Sequence, residues 1–187
     1  MEIPDSVLVE QSRSGDRAAF ERLYRRYATG VFGFVRRMLP RREDAEDLTV
    51  QVFAKAWNGL NALRDNEAFK TWLFRIAVRQ VQDFRKSSRP TEPIPPQLQD
   101  PTPGPESQAM ERARADALHG AIDALSEEHR QVISLYYGQQ MSVEEIGRIL
   151  RLPRGTVVSR LARARDALRR SLSSAVALGP EVTGDAV

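Results

Sequence analysis

Few residue types in this chain carry reactive side chains, and their spacing argues for recognition rather than catalysis. His119 and His129 fall in separate predicted helices, with no carboxylate–histidine constellation around either. There is no HExxH pair and no glycine-rich phosphate loop. The absence of cysteine excludes thiol catalysis, disulfides and Cys-ligated zinc. No metal, no cofactor and no enzymatic activity are expected. Arginine stands out instead. Residues 151–170 hold seven Arg against Asp166 alone. Clustered cations on one element are the electrostatic footprint of a nucleic-acid partner, and a solvated helix face is the competing reading.

The elements that must position these cations read as helix throughout. Residues 16–28 repeat apolar positions at Ala19, Phe20, Leu23 and Tyr27, and Val31, Phe34, Val35 and Met38 predict a second short helix stopped at Pro40. In 43–60, Ala45, Leu48, Val52, Ala56, Trp57 and Leu60 recur at three and four, as do Phe69, Trp72, Leu73, Ile76 and Phe84 in 67–86. No segment alternates, so no sheet is expected and the fold class is all-α.

The segment 87–108 holds seven of the 11 prolines and reads as an extended linker, spanning at most roughly 70 Å. It divides the chain into two small helical domains, 1–86 and 109–172, with a disordered tail at 173–187. Charge follows the same division. Residues 1–86 carry 16 basic and 12 acidic side chains, the stretch 87–107 one basic and three acidic, and 108–170 eleven basic and eight acidic. No apolar run is long enough for a membrane helix, and the N-terminus lacks a signal-peptide pattern. A cytoplasmic protein without membrane insertion is expected.

The second half predicts a helix around 109–125, then Ser126 as an N-cap before Glu127 and Glu128. Val132, Ile133, Leu135 and Tyr136 supply that helix's buried face. Ser142 and Glu145 form a capping-box signature ahead of Ile146, Ile149 and Leu150. A tight turn at Leu152–Pro153 precedes a long Arg-rich helix from about Arg154, whose inward positions are Val157, Leu161, Ala164 and Leu168. A short capped helix, a turn and a longer basic helix fit a helix-turn-helix, with a plain helical hairpin as the competitor. Gly147 falls where the two helices should cross, a packing role.

The stretch MSVEEIGRILRLPRGTVVSRLARAR, Met141–Arg165, closely resembles the C-terminal domain of extracytoplasmic-function (ECF) sigma factors. REDAEDLTVQVFAKAW (42–57) and AFKTWLFRIAVRQVQDFRK (68–86) resemble the family's N-terminal domain. Two motifs in the right order on either side of a linker distinguish this from a lone helix-turn-helix, and from a DNA-binding regulator that dimerises through its N-terminal helices. The resemblance implies a sigma factor that binds core RNA polymerase at its clamp helices and flap, reads the −10 and −35 promoter elements, and helps open the DNA. It also implies an anti-sigma factor as partner, and a linker that threads the polymerase channel later filled by RNA.

Site residues follow by position. Asp44, Glu46, Asp47, Leu48, Gln51 and Phe53 match the polymerase-binding helix, with core burial as the alternative for Leu48 and Phe53. Arg64, Asn66, Trp72, Arg75, Arg79, Arg85 and Lys86 match the −10 surface, where Trp72 is either a base-pocket wall or, on its spacing with Phe69 and Ile76, a core residue. Arg151, Arg154, Thr156, Val158, Ser159, Ala162, Arg163 and Arg165 match the −35 surface. Four positions depart from the family pattern. Val50 replaces a polar residue, Arg79 an Asn, and Val158 a Lys or Arg. Arg151 replaces the turn glycine, so either the turn differs or a left-handed arginine sits there at about 1–2 kcal/mol.

Overall fold

The structure is a computed structural model that describes residues 3–87 and 117–177. Four helices build the first half: α1 (Asp5–Arg13), α2 (Arg17–Met38), α3 (Arg42–Gly59) and α4 (Phe69–Ser87). The second half holds α5 (117–123), α6 (Glu127–Ile133), a wide π-type turn at Ser134–Gly138, α7 (Val143–Leu150) and α8 (Arg154–Ala177). Among the described residues there is no strand. The expected linker from residue 88 onward, and the tail beyond Ala177, lie outside the described residues. Residues 173–177, expected as part of a disordered tail, continue α8.

Sequence periodicity missed α1. It buries Leu8, Val9 and Ser12, and Asp5 accepts hydrogen bonds from Arg26 and Tyr27 of α2. Gly15, at φ +95°, makes the turn into α2, where Asp16 caps the N–H groups of Ala18 and Ala19 at 2.9 and 3.2 Å. The helices expected at 16–28 and from Val31 are one continuous α2. Gly30 does not break it, although glycine inside a helix costs roughly 0.5–1 kcal/mol relative to alanine. A Cβ at Gly30 would lie 2.5 Å from the Gln139 side chain of the second half, so the missing methyl group makes room for a docking contact. Leu39 is extended, at φ −120° and ψ 141°, as a residue before proline must be, and α2 ends there.

Helices α2, α3 and α4 enclose Phe34, Phe69, Phe74, Leu23, Leu73 and Met38, all fully buried. Edge-on aromatic pairs lock α2 to α3, Phe20 with Trp57 at 4.9 Å and Tyr24 with Phe53 at 4.7 Å. In the second half α6, α7 and α8 bury Val132, Leu135, Met141, Ile146, Val157, Leu161 and Ala164.

The two halves pack against each other. Lys70 donates to the Gln139 carbonyl at 2.7 Å, and the Gln139 amide donates to the Gly30 carbonyl at 3.1 Å. Arg130 donates to the Arg37 carbonyl at 3.1 Å, and Arg85 bridges the Met38 carbonyl and Glu127. Burial is the main influence lowering the Arg130 pKa, with Asp123 opposing it. These links are polar and mostly reach backbone carbonyls, and beside them the buried apolar residues of the two halves join in one cluster.

Candidate nucleic-acid interface

The helix-turn-helix rests on local chemistry. The Ser142 hydroxyl accepts the Glu145 N–H at 3.2 Å, and the Glu145 carboxylate accepts the Ser142 N–H at 2.8 Å, so the capping box closes in both directions. Burial acts to raise the Glu145 pKa, but hydrogen bonds from the Ser142 backbone and hydroxyl, helped by Lys70, outweigh it and the net shift is downward. Ser126 stands at the N-cap of α6 as expected, yet its side chain makes no capping bond. A Cβ at Gly147 would approach the Leu152 carbonyl to 2.9 Å, while the Leu152 N–H donates to the Gly147 carbonyl at 3.0 Å. The glycine thus lets the turn fold back onto α7. Arg151 adopts the left-handed conformation, φ 56° and ψ 47°. The glycine geometry is kept without the glycine.

On α8, Val157, Leu161 and Ala164 are buried and Leu168 is half-buried, the inward face expected. Val158, Ser159, Ala162, Arg163 and Asp166 are exposed, Thr156 and Arg165 half-buried. The arginines differ in what they touch. Arg154 pairs with Glu144 of α7 at 2.8 Å, and that contact, after a backbone hydrogen bond, holds the Glu144 pKa down. Arg160 pairs with Glu128 of α6 at 3.0 Å. Arg165 donates to the Tyr137 hydroxyl at 2.8 Å and lies 5.5 and 5.7 Å from the rings of Tyr136 and Tyr137. It braces α8 against the π-type turn. The side chains of Arg151 and Arg163 make no hydrogen bond or ion pair among the described residues. The sequence reading missed Arg160 and the Tyr136–Tyr137 brace, because both depend on side chains more than 25 positions away.

The α4 surface is simpler. Arg75, Arg79 and Lys86 are exposed at spacings of four and seven, one stripe down the helix. Arg79 has Asp83 at 3.8 Å and remains 79% exposed, and Arg64 is exposed on the preceding turn. Three other residues expected on this surface are placed differently. Arg85 is half-buried and tied to Met38 and Glu127 at the inter-domain contact. Asn66 is half-buried and donates to Glu10 and the Ser6 carbonyl at 3.2 and 3.5 Å, anchoring its loop to α1. Trp72, half-buried, packs on Phe69 with centroids 6.0 Å apart and sits 3.4 Å from where a Gly59 Cβ would be.

On α3, Glu46, Asp47 and Gln51 are exposed and Asp44 is half-buried. Leu48 and Phe53 are 3% and 4% exposed, so their expected contact with an outside partner is corrected to core packing. The exposed large apolar residue on this helix is Val50, at 62%.

The family models agree with this division. Sigma-70 region 2 matches residues 23–91 and Sigma-70, region 4 matches residues 121–170. Across 184 residues the sequence is 30% identical to the ECF RNA polymerase sigma factor SigW of Bacillus subtilis (strain 168), covering 92% of this chain and 98% of that protein. The chain is an ECF RNA polymerase sigma factor. Its fold is similar to that of CnrH solved with the cytosolic domain of CnrY, at a TM-score of 0.70, 26% identity, and coverage of 91% of this chain and 97% of that one. It also shares the fold of the sigma factor RpoE of Bartonella quintana, solved with the anti-sigma factor NepR, at a TM-score of 0.60, 23% identity, and coverage of 82% and 96%. As a sigma factor the chain directs RNA polymerase to specific promoters. No helix among the described residues is long and apolar enough to cross a membrane.

Proposed function

We propose that the two domains, 1–86 and 109–172, divide the promoter between them, α4 meeting the −10 element during strand opening and α8 reading the −35 element. The carrying observation is the pairing of two exposed cationic surfaces on separate halves, Arg75–Arg79–Lys86 on α4 and Arg163 with Arg151 beside the α8 turn. Cations along one helix stripe hold a displaced single strand through its phosphates, and an arginine on a reading helix takes guanine or phosphate. Arg64 extends the α4 surface. Thr156, Ser159 and Ala162 present small side chains that let the α8 backbone approach the groove.

The exposed carboxylates Glu46 and Asp47 and the half-buried Asp44, with Gln51, form the surface for the polymerase clamp helices, where they complement a basic partner. The second domain takes the flap. The protein contributes no catalysis; nucleotide addition belongs to the core enzyme. It acts in the cytoplasm, where its polymerase is. An anti-sigma factor holds it inactive by covering these surfaces, a reading supported by the complexes in which similar sigma folds were solved.

The test is transcription by reconstituted holoenzyme from a library randomised over the −35 and −10 elements. Enrichment of both elements is expected, with Arg163→Ala altering only the upstream consensus and Arg75→Ala with Arg79→Ala lowering opening at all promoters. Loss of both consensus elements in Arg163→Ala alone would refute the division.

A further inference from the structure

Val158 and Ala162 lie one turn apart on the exposed side of α8. Val158 is 47% exposed, the only large apolar side chain so exposed on the helix among the described residues. The long side chains that flank it are held elsewhere, Arg154 on Glu144 and Arg165 on Tyr137, and the Ser159 hydroxyl donates to the Thr156 carbonyl at 3.0 Å. Nothing folds over the valine methyls. A β-branched side chain is a modest helix former, and no contact within the protein explains one at this site. Its stiffness has a use at a groove, because its methyl groups point in one direction. In the major groove the distinctive apolar feature on a base edge is the 5-methyl group of thymine.

We infer that Val158, with Ala162 beside it, is a specificity determinant that selects thymine within the −35 element by packing on its 5-methyl group. The inference rests on the assignment of α8 to the −35 element. It names a base feature that the exposed arginines do not read, since Arg takes guanine or phosphate.

The experiment uses holoenzyme and the upstream element enriched from a randomised library. Each thymine in that element is replaced in turn by uracil, which removes only the methyl group. Wild-type holoenzyme should lose about fourfold in binding at one position, the equivalent of about 0.8 kcal/mol for one buried carbon. In Val158→Ala the same replacement should be nearly silent, with the unfolding midpoint unchanged because the site is exposed. Val158→Lys should also lose the methyl preference, while its binding becomes more salt-dependent by one phosphate contact. Equal binding of thymine and uracil at every position overturns the inference, as does an undiminished uracil penalty in Val158→Ala. Failure to enrich any upstream element would overturn the −35 assignment itself, and with it this inference; an enriched element without a methyl effect would remove the inference alone.

Discussion

The two basic helices differ in how much of their charge is free. Residues 151–170 are the more arginine-rich by sequence, yet most of those cations are committed inside the domain. Arg154 and Arg160 hold α7 and α6, Arg165 holds Tyr137, and Arg169 pairs with Asp166 at 2.7 Å. On α4 the cations are sparser, but Arg75, Arg79 and Lys86 line one open stripe, while Lys70 and Arg85 are drawn into tertiary contacts. Charge density in a sequence is therefore a poor guide to charge available for a partner. In α8, arginine helps to assemble the helix-turn-helix. In α4 the apolar core does most of the assembling, which leaves Arg75, Arg79 and Lys86 to solvent.

The largest effect that would break this contrast lies on α4. Replacing Arg75, Arg79 and Lys86 together by alanine should lower strand opening by about a hundredfold and flatten its salt dependence by about two in log–log slope, at ~0.7 per phosphate contact on single strands. Permanganate reactivity of unpaired thymines measures the opening. Unfolding should stay unchanged, and an unaltered salt slope would place the contact elsewhere.

Within α8 the contrast separates two arginines that lie two positions apart. Arg163→Ala should reduce −35 binding by about tenfold, within the ~1–3 kcal/mol expected for an arginine–base contact, without altering stability. Arg165→Ala should destabilise the second domain by about 1–2 kcal/mol, through lost ring and hydroxyl contacts. Denaturant titration alongside binding distinguishes them. If Arg163→Ala proves the destabilising change, the free and committed assignments are reversed.

Two smaller effects probe the scaffold. Arg151→Gly should stabilise the protein by about 1 kcal/mol, because the left-handed turn no longer strains a side chain. The same change should weaken DNA binding if Arg151 meets phosphate, so stability and affinity move in opposite directions. The Glu145 carboxyl has a lowered pKa in the folded state, so its contribution is present above the ordinary carboxylate value of 4.5 and is lost as pH falls through the lowered pKa. Ser142→Ala should remove about 1 kcal/mol at neutral pH and reduce that acid sensitivity, measured by unfolding from pH 7 downward.

The last prediction concerns the contact between the halves. Arg85→Ala removes a half-exposed ion pair to Glu127 and a bond to the Met38 carbonyl, a change of about 1 kcal/mol. Each domain should keep its own packing while the pair separates more readily, seen as a larger radius of gyration in small-angle scattering. An unchanged radius would show that Gln139 and Lys70 hold the halves without it.

Periodicity made the all-α class, α3, α4 and the helix-turn-helix legible, because apolar residues at three and four need one neighbour to bury them. Capping made the start of α7 legible, since Ser142 and Glu145 satisfy each other across a single turn. Helix α1 stayed hidden because it buries only a narrow strip and is held by Asp5 against residues more than 20 positions away. The break expected near Gly30 failed for a related reason, as that glycine serves a contact from Gln139. Among the candidate residues, Arg75, Arg79, Lys86 and Arg163 are exposed as expected. Leu48, Phe53, Trp72, Arg85 and Arg165 are held by packing or pairing.

By itself the sequence determined which helices form and which residue types line each one, since both follow from interactions within a few turns. Tertiary structure alone decided which arginines remain free. A guanidinium reaches several ångströms, and whether it ends on Glu128, Tyr137 or open solvent depends on which helix the fold brings alongside. The exposure of Val158, and the joining of two halves that the sequence separates by a proline-rich stretch, were settled at the same level.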